Sequence, residues 1–216
     1  MINLSQIEYV LFDLDGTITE PYEGITKSVA YSLEKFNIKI DDRSQLKVFI
    51  GPPLKPSYMK YFNLSESDAE KAVAFYREYY SVSGMYDCEL YDGVLTLLKE
   101  MSSRYKLVLA TSKPQLFAEK ILEKFDIKKY FYHIVGATFD DKRSEKTDII
   151  KKVISDLKFD SSKGIMIGDR CFDTDGGREN GLFSAGVTYG YGSIEEFFNA
   201  DIVFDTVSEM YKYFCI

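Results

Sequence analysis

Short, continuous apolar runs alternate along this chain with stretches whose apolar residues recur every three or four positions. Ile7–Asp13, built around Tyr9, Val10, Leu11 and Phe12, reads as a buried strand. Tyr105–Thr111, carrying Leu107, Val108, Leu109 and Ala110, reads as another. Phe131–Ala137, Gly164–Gly168, Phe183–Thr188 and Asp201–Phe204 have the same character. Between them, Val94, Leu97, Leu98 and Met101 keep a helical period. So do Phe117, Ile121, Leu122 and Phe125, and then Ile149, Ile150, Val153, Ile154 and Leu157. Ser193 with Glu196, and Thr206 with Glu209, have the spacing of capping boxes, each opening a short helix. Strands apolar on both faces, separated by amphipathic helices, imply an α/β fold with a three-layer, Rossmann-like core. Its sheet is parallel and covered by helices on both sides.

That rhythm breaks between about Thr17 and Met85, where no convincing strand occurs. Ile25, Val29, Leu33 and Phe36 make one helical stripe, and Ala69, Ala72, Val73, Tyr76 and Tyr80 another. Gly51, Pro52, Pro53 and Pro56 punctuate the middle. The expected organisation is an α/β core from residues 1–16 and 86–216, with a helical domain, 17–85, inserted after the first strand.

Composition then narrows the function. With 216 residues, 45% hydrophobic and 28% charged, the chain matches a soluble globular protein with ample residues for a core. A net charge of −7 argues against a nucleic-acid polymer as partner and leaves no basic stripe for a membrane surface. No apolar run approaches the roughly 18 residues of a membrane span. The first residues lack the basic and apolar regions of a signal peptide. Cys88, Cys171 and Cys215 are odd in number and far apart, which suits a reducing compartment. A cytoplasmic protein, monomeric or weakly dimeric, is expected.

The single histidine, His133, excludes a His-based triad combined with a separate His metal site, and it excludes the two-His zinc motifs. A Cys-x₅-Arg loop starting at Cys171 would need Arg at 177, where Gly177 stands before Arg178. No G-x-x-x-x-G-K-[ST] loop occurs, and Gly190 with Gly192 does not complete G-x-G-x-x-G. Catalysis falls to carboxylates, hydroxyls, lysines and a metal.

In open α/β sheets, ligands bind beyond the carboxyl ends of the strands. The first strand ends in Asp13, Leu14, Asp15, Gly16 and Thr17; the second ends in Thr111, Ser112 and Lys113. Another ends in Gly168, Asp169 and Arg170, followed by Asp173 and Asp175, and Lys146 opens a helix. Asp13 and Asp15, two apart, lean into one cleft, and Asp169 brings a third carboxylate. Unneutralised, these would repel, and a hard divalent cation such as Mg²⁺ resolves the conflict. Plainer readings stand beside this one. Asp173 or Asp175 alone suits a helix cap. Lys146 suits a helix-start surface lysine, and Thr111 an N-cap for the helix from Pro114. Arg170 suits a structural ion pair, Arg143 the surface, and His133 a packed or partly exposed strand position. Tyr76–Tyr80 suits the core of the helical insert, and the cysteines are buried or incidental.

Residues Val10–Thr17, reading V-L-F-D-L-D-G-T, resemble the first signature of the haloacid dehalogenase superfamily of phosphohydrolases. Leu109–Pro114 resembles the second motif, Asp140–Lys146 the lysine-bearing third, and Ile167–Asp173, running on to Glu179–Gly181, the acidic fourth. All four occur in order across nearly the whole chain. The Ala-Thr-Ser-Lys-Pro and Arg-Ser-x-Lys details resemble the phosphoglycolate-phosphatase-like branch.

The resemblance implies a Mg²⁺-dependent phosphatase acting on a small phosphorylated metabolite, with residues 17–85 as its helical cap. That cap would hinge near Thr17–Tyr22 and Met85–Tyr91 and set substrate choice. Asp13 would be the nucleophile that forms an aspartyl-phosphate. Asp15 would be the acid for the leaving group and then the base for water. Thr111 would hold a phosphoryl oxygen and Lys146 would neutralise charge. Gly16, Thr17, Ser112 and Lys113 would surround the substrate, with backbone N–H groups of Ser112 and Lys113 facing the phosphate. Asp13, Asp15 through its main-chain carbonyl, and Asp169 would hold the metal, with Asp173 acting through waters. Phosphoglycolate is the expected substrate, and a nucleoside 5′-monophosphate the alternative. A hexose-phosphate mutase and an inactive binding protein on the same scaffold are the rival classes.

Overall fold

Six strands pair in parallel in the order β5-β4-β1-β6-β7-β8. They are β1 (Tyr9–Phe12), β4 (Lys106–Pro114), β5 (Phe131–Ala137), β6 (Gly164–Gly168), β7 (Phe183–Val187) and β8 (Ile202–Phe204). The structure, a computed structural model, describes residues 2–139 and 145–216. Two further strands of two residues each, β2 (Thr19–Glu20) and β3 (Glu89–Leu90), pair with one another. They are too short to leave a hydrophobic pattern. The chain divides into two compact units, Met1–Glu20 with Leu90–Ile216, and Pro21–Glu89.

In the first unit, strand periodicity sorts the core. Tyr9 and Leu11 of β1, Val108 and Ala110 of β4 and Met166 of β6 face one way. There they meet Ile149, Ile150 and Val153 of α6 (Lys146–Leu157). α7 (Cys171–Glu179) packs beside α6 and against β6 and β7. Val10, Phe12, Leu107 and Leu109 alternate to the opposite face and are equally buried. α4 (Val94–Ser102) packs on β4 and on α8 (Val207–Cys215), and α5 (Gln115–Lys124) lies against β4 and β5. All six expected strands and the three expected helices are present, in the expected three layers.

The two capping boxes differ in outcome. Ser193 and Glu196 open only a short 3₁₀ turn, Ile194–Phe197. Thr206 caps α8 by accepting the Glu209 N–H at 3.1 Å, but the Glu209 carboxylate takes the N–H of Asp205, not that of Thr206.

The second unit holds α1 (Tyr22–Glu34), α2 (Leu54–Phe62) and α3 (Glu66–Val82). Ser65 caps α3 by accepting the Asp68 N–H, and Asn63, with φ +52°, ends α2 in the left-handed conformation. Val29, Leu33, Leu46, Phe49 and Tyr58 are fully or almost fully buried. The Tyr58 hydroxyl shares a hydrogen bond with Ser32, which satisfies a phenol that the packing has cut off from water. Tyr76 and Tyr80 stack in this core, as their spacing implies. No helix among the described residues is long and apolar enough to cross a membrane.

Ile150 sits wholly buried between α6 and the sheet, whereas Phe198 is 82% exposed. Ile150→Ala should lower unfolding free energy in urea by about 2–5 kcal/mol, through lost burial and the cavity left behind. Phe198→Ala should stay within about 0.5 kcal/mol of the parent. Equal effects would mean that the α6 face is not the core.

Candidate active site

Every charged group of the site sits at the start or end of a rigid element. Asp13 is the first residue beyond β1, and its N–H still donates to Ile167 O at 2.9 Å. Asp169 directly follows β6, Asp173 lies in the first turn of α7, and Lys146 is the first residue of α6. β1 lies between β4 and β6, where chain order runs outward in both directions. Such a switch point opens a crevice at the carboxyl edge. There, one carboxylate oxygen from each of Asp13, Asp169 and Asp173 lies within 4.8 Å of the others.

Lys146 holds this cluster together. Its Nζ donates to Ala110 O at 2.9 Å and lies 2.8 Å from Asp13 Oδ1 and 2.7 Å from Asp173 Oδ1. Both carboxylates are thus ion-paired to the ammonium at contact distance. Burial works against the Lys146 ammonium, but Asp13 and Asp173 outweigh it, so its pKa is raised and the group stays charged. Burial, helped by Asp173 and Asp13, pushes the Asp169 carboxyl well above the ordinary range. Burial also lifts Asp173, to about 6, against the pull of Lys146.

Asp15 is not part of this group. Beyond β1 the chain turns at Gly16, with φ +83°, and the alternation of a strand no longer applies. The Asp15 carboxylate turns instead to Lys113, 2.7 Å away, and to the Thr19 hydroxyl. The acidic trio is therefore Asp13, Asp169 and Asp173, not Asp13, Asp15 and Asp169. Burial raises the Asp15 carboxyl and Lys113 opposes the rise without cancelling it.

Lys113 is buried, and its own N–H is directed at Thr111 Oγ1, 3.2 Å away. Thr111 lies inside β4 and does not cap α5, whose N-cap is Pro114. Ser112 is half-buried beside them. Thr17 is buried and its hydroxyl finds no partner among the described residues. Lys146 is enclosed, contrary to the surface reading of a helix-start lysine. Arg143 and the rest of Asp140–Ser144 lie outside the described residues. The Arg170 guanidinium pairs with Glu196, and His133 with Asp156.

The trio fits a hard divalent cation. Its donors are all carboxylate oxygens, and Asp169 Oδ1 is buried without a hydrogen bond from any described residue. Sequence reasoning understated Asp173, because its helix-capping role is genuine: Oδ2 accepts the Arg170 N–H at 3.1 Å while Oδ1 faces Lys146. It also passed over the loop after β7, where the Tyr191 N–H donates to Asp169 Oδ2 at 2.8 Å. Two glycines just beyond a strand, on the edge that carries the acids, were the available signal.

Removing the ammonium should strand two buried carboxylates. Lys146→Met should cost about 3–5 kcal/mol of stability in chelator, measured by urea unfolding. Adding Asp173→Asn to it should recover part of that loss. A second substitution that deepens the loss would show that Lys146 does not balance Asp173.

The raised carboxyls also set a pH dependence. The folded chain holds protons on Asp169 and Asp173 that the unfolded chain has released. Their contribution to metal-free stability is therefore present at low pH and lost as pH rises above the ordinary aspartate range, for Asp173 through about 6. Protonated carboxyls ligate poorly. The Tm rise produced by a fixed Mg²⁺ concentration should accordingly be larger near neutral pH than near pH 5. A rise that is independent of pH would remove these two carboxyls from cation binding.

Comparison with known proteins agrees with this geometry. Residues 10–187 match the haloacid dehalogenase-like hydrolase family. A 5′-nucleotidase from Pseudomonas aeruginosa is 39% identical over 188 residues, covering 87% of this chain and 85% of that protein. A phosphoglycolate phosphatase from Vibrio parahaemolyticus is 26% identical, covering 94% of each. The crystal structure of a predicted phosphatase from Clostridium acetobutylicum superposes with a TM-score of 0.91 at 47% identity, covering 96% of this chain and 97% of that one. The strand-end acids, the parallel sheet and the helical insertion after β1 thus have one common explanation: the chain belongs to the haloacid dehalogenase-like hydrolases and is a phosphatase of that family.

Proposed function

We propose that this phosphatase hydrolyses small phosphomonoesters in two steps, with Mg²⁺ as cofactor and a phosphorylated Asp13 between them. The observation that carries the reading is the Asp13 carboxylate, fixed at the end of β1 against Lys146 and grouped with Asp169 and Asp173.

Asp13 supplies a carboxylate oxygen that attacks phosphorus as the bond to the leaving oxygen breaks. Asp15 gives its proton to that oxygen and the alcohol departs. A water then attacks the phosphoaspartate, Asp15 takes its proton, and phosphate leaves with Asp13 restored. Asp13, the Asp15 carbonyl and Asp169 are the groups that would hold Mg²⁺, with Asp173 behind them; bound there, it would neutralise charge on the phosphoryl oxygens. Lys146 adds a fixed positive charge beside Asp13, and the Thr111 hydroxyl orients a phosphoryl oxygen. A loose phosphoryl-transfer transition state needs mainly this positioning and neutralisation. Gly16, Thr17, Ser112 and Lys113 border the phosphate, and the helical insertion selects the leaving group.

For the substrate, the 5′-nucleotidase relative favours a nucleoside 5′-monophosphate, and the more distant phosphoglycolate phosphatase keeps phosphoglycolate as the second choice. A panel of both with an aryl phosphate, each with and without Mg²⁺, decides between them by kcat/KM. Release of an isomeric ester in place of free phosphate would mark a mutase instead.

Asp13→Asn should reduce turnover by at least about a thousandfold on every ester of the panel. Asp15→Ala should slow alkyl esters more than the aryl ester, whose leaving group needs little protonation, and phosphoenzyme should accumulate on the aryl substrate. Near-parental turnover of Asp13→Asn, or equal losses for aryl and alkyl esters when phosphorylation limits both, would sink the mechanism.

A further inference from the structure

Asp169 is gripped by a loop that plays no part in the reaction just described. Tyr189, Gly190, Tyr191 and Gly192 follow β7 on the carboxyl edge of the sheet. The Tyr191 N–H takes Asp169 Oδ2 at 2.8 Å, while Oδ1 stays buried and unbonded. The loop therefore decides which oxygen of Asp169 is left to act as a ligand.

The approach is as close as backbone allows. A Cβ added at Gly190 would lie 2.3 Å from Gly16 O and 2.4 Å from Asp169 Cβ. One added at Gly192 would lie 2.0 Å from Asp169 O. Only glycine fits at either place. Two phenols then fasten the same loop to the chain where it leaves the α/β unit. The Tyr189 hydroxyl donates to Thr17 O at 2.9 Å, and the Tyr191 hydroxyl bonds the Glu20 carboxylate. The returning chain is tied in as well. The Tyr91 ring meets Tyr189 edge to face at 4.9 Å, and the Tyr91 N–H donates to Ile18 O at 3.2 Å.

We propose that Tyr189–Gly192 is a positioning clamp that fixes the metal ligand Asp169 and couples it to the two chain crossings at Thr17–Glu20 and Tyr91. The proposal rests on the reading of Asp13 and Asp169 as Mg²⁺ ligands, with Asp173 behind them. Its logic is linkage. A cation that fixes Asp169 also fixes Tyr191, and through the phenols it fixes the crossings. A change that loosens the crossings from the loop then weakens cation binding by as much as that contact is stronger in the cation-bound state. Tyr191 is a positioning residue here: it acts through Asp169 and touches no reacting atom.

The test is Mg²⁺ binding to the whole chain without substrate, read by titration calorimetry and by the Mg²⁺-dependent rise in Tm, for the parent, Tyr191→Phe and Gly190→Ala. Tyr191→Phe keeps the ring and removes one hydroxyl. It should raise the Mg²⁺ Kd roughly three- to tenfold, the worth of one hydrogen bond. Gly190→Ala should raise it by about tenfold or more, because the added carbon displaces Asp169 or Gly16. With an aryl phosphate, both variants should need more Mg²⁺ for half-maximal rate and recover most of the parental kcat at saturation. A merely structural role would lower Tm in chelator and leave the Mg²⁺ requirement unchanged. If Tyr191→Phe binds Mg²⁺ like the parent, or loses kcat with no change in its Mg²⁺ requirement, the clamp is overturned, even where Gly190→Ala fails to fold. A parent chain that binds no Mg²⁺ overturns the metal reading itself, and the two failures are thereby distinct.

Discussion

Lys146 carries its ammonium into a place that water barely reaches, and it can do so only because three oxygens meet it there. Two belong to Asp13 and Asp173, and the third is the carbonyl of Ala110 on β4. Withdrawing a charge from water costs several kcal/mol, in order of magnitude, and is tolerated when opposite charges are held at contact distance. That demand fixes where each partner must come from. A side chain on a mobile loop would not hold the geometry, so the partners stand on the last turn of a strand or the first turn of a helix. The apolar packing of β1, β4, β6 and α6 is in this sense the mount for four charges.

Helix electrostatics sharpen the point. Asp173 in the first turn of α7 sits where the helix macrodipole favours a negative charge, and it also takes the Arg170 N–H. Lys146 opens α6, where the same macrodipole disfavours a cation. Its charge is therefore maintained by Asp13 and Asp173 and not by its helix. The acids need the lysine, and the lysine needs the acids together with the Ala110 carbonyl. Asp169 stands apart from this exchange. It lies close to the other acids, and its carboxylate accepts a backbone hydrogen bond from Tyr191. It is the member of the trio with the most to gain from a cation.

The fold was legible in the sequence because buried parallel strands announce themselves as apolar runs, and helices as period-3.6 stripes. Asp13, Asp169 and Lys146 were legible because each stands where one of those runs ends or begins. What escaped depended on contacts distant in sequence. The direction of Asp15 is set by the turn at Gly16 and by Lys113, neither of which follows from strand alternation. Asp173 looked like a cap and is one, and nothing local shows that its second oxygen faces Lys146. Gly190 and Gly192 failed a phosphate-loop pattern, yet their reason is steric. They are small because Gly16 and Asp169 lie against them, a fact that requires the partner to be known. Strands of two residues, β2 and β3, carry too few positions for any period to show.

Asp13 and Asp15 are separated by one residue and, in the proposed reaction, must do opposite things. One has to present an ionised oxygen to phosphorus, and the other has to arrive with a proton. Each carboxylate has its own lysine, Asp13 at 2.8 Å from Lys146 and Asp15 at 2.7 Å from Lys113, so proximity to an ammonium does not distinguish them. Their surroundings do. Asp13 belongs to a fixed network in which Lys146 is shared with Asp173, and it stands where a cation would add further positive charge. Asp15 lies outside the trio, with burial raising its carboxyl and Lys113 restraining the rise. Its balance rests mainly on the ion pair with Lys113. A phosphate group that drew the Lys113 ammonium toward itself would leave burial and the Asp13 charge, which favour the protonated form, opposed by the Thr19 hydroxyl in place of a cation. The turn at Gly16 is what allows this, because it sends the second aspartate away from the first one's network at the shortest possible distance along the chain.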